Sequence, residues 1–215
     1  MSNSHESKMP EILHQDEDLI ILNKQPNLLS VPGRGPDKQD CLSSRVQANF
    51  PTALTVHRLD YDTSGIILMA LNKKAQSEMG KIFQERAISK KYVAIVDGHP
   101  DEEAGSIDLP MRCDFERRPL QIIDHELGKS ALTHWRVIER YNNNTTRIEL
   151  EPHTGRSHQL RLHLKALGHS ILGDNLYGST AVHAMSPRLL LHATQLHFTH
   201  PKSNIMIHID CPADF

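Results

Sequence analysis

The chain has 215 residues, of which 38% are hydrophobic and 23% charged, with a formal net charge of −2. That apolar fraction can bury a core without staples, and the three cysteines, Cys41, Cys113 and Cys211, form neither a disulfide framework nor a C-x-x-C metal site. The N-terminus has no apolar signal core and the longest apolar run, GIILMAL, is too short to cross a bilayer, so a reducing, cytoplasmic setting without a membrane role is expected.

Residues 1–17 are polar and acidic and read as a flexible lead-in. DLIILNK, Asp18 to Lys24, is a short apolar strand, and QPNLLSVPGRGPD after it holds too many prolines and glycines for a helix. Cys41 to Phe50 fits one short helix. TVHRL then leads through a loop bearing two aspartates into GIILMAL, a strand apolar on both faces and so expected in the middle of a sheet. Asn72 is placed to cap a helix in which Ala75, Met79, Ile82 and Phe83 recur at helical spacing.

KYVAIVDG reads as another strand, and DGHPDEEAGSID, Asp97 to Asp108, as an acidic surface loop. LTHWRVIERY and TTRIELEP form an expected antiparallel pair across Asn142, Asn143 and Asn144. A helix is expected from about Ser157 to the stop signal at Gly168. LLLHATQLHFTHP and IMIHIDCP complete the strands. Many antiparallel strands with few helices predict an α+β sheet protein, with residues 18–215 as a single domain.

Charge is uneven along the chain. The stretch NKKAQSEMGKIFQERAISKKY carries six basic residues against two acidic ones, despite the negative total. Alone it would be a solvated helix face, or a phosphate-binding one. The 15 histidines make no H-E-x-x-H or comparable ligand spacing, so no metal site is expected.

In HRLDYDTSG, His57 to Gly65, Asp60 and Asp62 stand two residues apart at the mouth of the buried strand. Paired carboxylates suggest a glycoside hydrolase, yet two on one short loop do not reach opposite sides of a glycosidic bond. A non-catalytic RNA-binding module is disfavoured by the 5% aromatic content and the absence of an aromatic-glycine recognition motif.

HRLDYDTSG resembles the H-R-L-D-x-x-T-S-G signature of the RluA-type pseudouridine synthases, and TGRSHQLR resembles that family's T-G-R-x-H-Q-L-R. NLLSVPGR, KKYVAIV, GHSILGD, SPRLLLHA and PADF are similar to the branch acting on both transfer RNA and large-subunit ribosomal RNA. One departure is NKQPNLL, where the family usually has N-K-P-x-G-L-L. Asn27 there takes the glycine position, and asparagine tolerates left-handed backbone angles.

The resemblance implies a pseudouridine synthase catalytic fold, a mixed and mainly antiparallel sheet flanked by helices and loops. It implies isomerisation of uridine in a tRNA anticodon stem-loop and a 23S rRNA hairpin, the uridine-32 and uridine-746 types. The resemblance implies no cofactor, a stretch of only about 17 residues before the first strand is too short for a separate N-terminal RNA-binding domain, and a monomer is expected. Asp60 matches the catalytic aspartate, acting as nucleophile or base, and Arg161 matches the arginine paired with it. Tyr92 matches the tyrosine that stacks on the flipped uracil, and Arg58 the arginine that fills the space the base vacates. Leu191 is a candidate apolar wall, while Arg156, Lys165, Lys73, Lys74 and Lys81 are candidate phosphate contacts. Asp62 falls at a variable position of the motif and is expected to be solvated.

Overall fold

The computed structural model describes residues 8–215, so residues 1–7 of the expected lead-in lie outside the described residues. The chain divides into two compact units, the first running to Ile88 and including Gln195–Pro212, the second comprising Ser89–Thr194 and Ala213–Phe215.

In the first unit, β1 (Glu11–Gln15) and β2 (Leu19–Lys24) form an antiparallel hairpin. Asp16 closes its turn, Oδ1 accepting from the backbone N–H of Asp18 and Leu19 at 2.8 Å each. β1 therefore begins inside the stretch read as a flexible lead-in. Its half-exposed residues and the register shift between Ile12 and His14 leave no clean alternation in the sequence. α1 (Leu42–Gln47) is shorter than the expected Cys41–Phe50, beginning where Cys41 and Ser44 form a reciprocal cap.

β3 (Leu54–Thr55) and β2 both pair with β4 (Ser64–Ala70), whose seven residues are all buried, as its apolar faces predicted. α2 (Lys73–Gln84) starts at the Asn72 cap, which accepts from Ala75 N at 2.9 Å, and buries Ala75 and Met79. Asn27 takes the left-handed conformation with φ 57°, as its place in the glycine position required.

The second unit is built on β5 (Ile88–Asp97), which leads to β6 (Ala104–Asp108), β7 (Met111–Cys113), β8 (Gln121–Ile123), β9 (Leu132–Tyr141) and β10 (Thr145–Pro152). β10 pairs antiparallel with both β5 and β9, and β6 pairs with β9. Much of the expected acidic loop is thus strand. Gly105 lies opposite Trp135, where a Cβ would stand 3.1 Å from the indole, closer than ordinary van der Waals contact. β7 and β8 form a separate two-stranded sheet.

α3 (Gln159–Ala166) buries Leu160 and Leu164 among Ala94, Val96, Ile148 and Leu150, and packs Leu162 with Met111, Ala131 and Tyr177. It begins two residues later than expected because His158 adopts a left-handed φ of 56°. After α4 (Thr180–Ala184), β11 (Leu191–Thr199) and β12 (Met206–Asp210) pair antiparallel. The architecture is α+β, as expected.

Candidate active site

The loop carrying Asp60 is held from two directions. Ser30, in the NLLSVPG segment, donates its hydroxyl to Leu59 O at 2.7 Å and accepts from Leu59 N at 3.1 Å. His57 Nε2 accepts from Leu68 N at 2.9 Å, and its ring stacks on Phe83 at 4.7 Å, so it shapes the start of the loop as expected. Thr63 N donates to Asp60 O at 3.2 Å. The Thr63 hydroxyl, buried at 2% exposure, has no hydrogen-bond partner, so this turn is held by backbone and not by the threonine side chain.

Beneath the loop lies a residue the sequence reading missed. Lys24, at the end of β2, is fully buried and donates to the carbonyls of Gln25 at 3.0 Å, Leu28 at 2.8 Å and Tyr61 at 3.1 Å. Burial pushes its ammonium down to about 7, against the opposing pull of the Asp60 and Asp62 carboxylates. Asp62 is half-buried and inside this electrostatic field, so it is not the solvated carboxylate the motif position suggested. Arg58 is exposed, and Asp60 is half-buried.

In the second unit Arg161 is 1% exposed and meets a carboxylate that sequence reading had not paired with it. Its Nε donates to Asp174 Oδ2 at 2.9 Å and its Nη2 to Asp174 Oδ1 at 2.6 Å, with a third bond to Asn175 Oδ1 at 3.0 Å. Burial alone would raise the Asp174 carboxyl. The Arg161 hydrogen bonds and charge, with the backbone N–H groups of Leu176 and Tyr177, hold it below the usual carboxylate range instead. Gly173 sets the approach: its φ is 75°, and a Cβ there would lie 1.9 Å from Arg188 O. The guanidinium also lies over the Tyr177 ring at 5.5 Å. The Tyr177 hydroxyl accepts from Gln121 N at 2.8 Å and shares a hydrogen bond with His158 Nδ1 at 2.8 Å.

Tyr92 is half-buried on β5, opposite Leu150. Leu191, at 2% exposure, is part of the apolar cluster with Leu189 and Leu160. Arg156 is exposed and donates to Ser130 O at 3.1 Å, while Lys165 is exposed with its ammonium 5.9 Å from the Tyr177 ring centre. Lys73, Lys74 and Lys81 are exposed on α2. Among the described residues, Asp16, Asp18 and His200 approach metal-ligand spacing. His200 Nδ1 accepts from the N–H groups of Lys202 and Ser203, so Nε2 keeps its proton and faces Asp16 at 3.3 Å. Lys202 lies 3.3 Å from Asp18, which makes the group an ion-pair clasp.

A family model for RNA pseudouridylate synthases matches residues 18–166. The chain belongs to the RNA pseudouridylate synthase family. It is 49% identical over 204 residues to the dual-specificity RNA pseudouridine synthase RluA of Yersinia pestis, covering 95% of this chain and 99% of that one. The counterpart from Escherichia coli K12 matches at 49% over 95% of this chain and 93% of its own. Among solved structures, human RNA Pseudouridylate Synthase Domain Containing 1 superposes with a TM-score of 0.81 at 30% identity, over 100% of this chain and 87% of that one. Human RNA Pseudouridylate Synthase Domain Containing 4 gives 0.74 at 26% identity, over 94% and 88%. This pseudouridylate synthase is therefore an isomerase acting on RNA, and the hydrolase and non-catalytic readings fall away.

The synthase buries a charge pair at Arg161 and Asp174 that is costly to break from one side. Asp174→Ala removes the carboxylate that binds both Nε and Nη2 of the guanidinium and is expected to lower unfolding free energy by about 3–5 kcal/mol, measured by urea titration. Asp174→Asn, which keeps an acceptor, is expected to lose less. Because the folded carboxyl titrates below its usual 3.8, its contribution is full above that pH and is lost as pH falls through the folded value. Parental stability in Asp174→Ala contradicts this role.

Proposed function

We propose that this synthase isomerises uridines in stem-loops of both transfer RNA and 23S ribosomal RNA, extending to it what the dual-specificity name says of its relatives. The reaction breaks the N1–C1′ bond, turns the uracil and joins C5 to C1′. The C5 proton leaves and N1 ends protonated, so atoms balance without a cofactor. Asp60 supplies the carboxylate, as a nucleophile at C1′ or a base at C2′. Arg161 is its proposed countercharge, Tyr92 the stacking partner of the flipped uracil, Leu191 an apolar wall and Arg58 the side chain that fills the gap left in the RNA. Arg156, Lys165, Lys73, Lys74 and Lys81 take phosphates. Residues 18–215 act as one catalytic domain, and the enzyme works as a cytoplasmic monomer.

The observation that carries this reading is the restraint on the Asp60 loop. Leu59 is bonded at both backbone groups by Ser30, and Tyr61 is held through its carbonyl by Lys24, so the backbone that carries Asp60 is restrained on both sides. A preorganised charged group of this kind is what a reaction at a sugar carbon needs.

Asp60→Asn keeps the size of the side chain and removes the nucleophile and base together. Its single-turnover rate is expected to fall by at least about a thousandfold while RNA affinity persists. Asp62 stands at a variable position of the motif and has no role in the proposed reaction, so Asp62→Asn is expected to stay within several-fold of the parent. Pseudouridine formation on tRNA and 23S rRNA stem-loops measures both, and near-parental rates in Asp60→Asn, or a dead Asp62→Asn, refute the assignment.

A second expectation concerns α2. Changing Lys73, Lys74 and Lys81 together to Ala should weaken RNA binding and flatten its dependence on salt, since each lost phosphate contact removes counterion release. An unchanged affinity and salt slope assigns that face to solvent.

A further inference from the structure

Tyr61 is the residue of the aspartate loop that the chemistry leaves unused. Its side chain is 49% exposed, and among the described residues no other large apolar side chain between His57 and Gly65 is exposed. A single exposed ring is ordinary on a protein surface. This one differs in how its backbone is held. The Tyr61 carbonyl accepts from Lys24 Nζ at 3.1 Å and from Leu28 N at 3.2 Å. Leu59, two residues earlier and 7% exposed, fills the buried position of the loop, so Tyr61 is not needed for packing.

The substrate supplies what such a ring can meet. A uridine that leaves its stack to react exposes the faces of the nucleotides beside it. We propose that Tyr61 is a stacking platform for a base adjacent in the strand to the isomerised uridine. The proposal rests on the reading of Asp60 as the catalytic carboxylate.

Charge selects a base over the backbone at this point. Tyr61 lies between Asp60 and Asp62 in sequence, and two carboxylates disfavour a phosphate there. A tyrosine ring presents a broad face while ordering only two side-chain torsions, and the bonded carbonyl already holds the backbone beneath it. Stacking on an aromatic ring tolerates any base, because every base has a π face. A contact of that type suits an enzyme that accepts loops of different sequence.

The test uses a stem-loop that the parent enzyme converts, with 2-aminopurine replacing the nucleotide on the 5′ or the 3′ side of the target uridine, one side at a time. Fluorescence is read in the Asp60→Asn background, where the RNA stays unreacted. Product formation in the same samples exposes any failure of the Asp60 reading separately. Expected is quenching at one flank that persists with Tyr61→Phe and is lost with Tyr61→Ala. With Asp60 intact, Tyr61→Ala should raise KM by roughly tenfold, exceeding any fall in the saturating rate, and Tyr61→Phe should restore it. The proposal is overturned by equal quenching in Tyr61→Ala, by Tyr61→Phe behaving as Tyr61→Ala, or by a loss confined to the saturating rate.

Discussion

A fully buried lysine holds the loop that carries Asp60. Lys24 reaches from the end of β2 to three carbonyl oxygens, and one of them belongs to Tyr61, directly after Asp60. Burying an ammonium costs several kcal/mol, and carbonyl dipoles offset only part of that. The cost shows in the folded-state titration, near 7 in place of the usual 10.5. Between those values the folded protein holds fewer protons than the unfolded chain. The contribution of Lys24 to stability is therefore full above the window and is lost as pH falls toward 7. A group kept at such cost beside two carboxylates belongs to a functional site more readily than to a packing core.

The second unit handles its own buried cation differently. Arg161 receives a full carboxylate, in the planar two-bond geometry that suits a guanidinium, and the same carboxylate binds two backbone N–H groups of the following turn. Asp174 thus ties the α3 side chain to the chain segment that leads into α4. The left-handed His158, the glycine at 173 and the Tyr177 hydroxyl all lie at that junction.

Much of this was legible in the sequence and some was not, for identifiable reasons. The apolar runs of β2 and β4 gave buried strands, and Asn72 began α2 as its chemistry required, because those signals lie within a few residues. β1 and the short β7 and β8 lacked a clean period, and β6 was masked by acidic residues around Gly105, whose pairing with Trp135 depends on a distant strand. The aspartate motif was readable because its residues are contiguous. Lys24 and Asp174 were on the page within NKQPNLL and GHSILGD, but a lysine after an apolar strand reads as a solvated end. An aspartate 13 positions from Arg161 carries no spacing signal. Both owe their roles to burial, which local sequence does not report.

The most direct test of the account removes the cation under the loop. Lys24→Met keeps the length of the apolar stem, leaves the folded state without a buried charge and releases the carbonyls of Gln25, Leu28 and Tyr61. With RNA saturating, the single-turnover rate of pseudouridine formation by Lys24→Met is predicted to fall by roughly tenfold or more. RNA affinity should stay close to that of the parent, and the rise in stability between pH 7 and pH 10.5 should flatten. A folded Lys24→Met protein that isomerises uridine at the parental rate would contradict the claim that Lys24 positions Asp60.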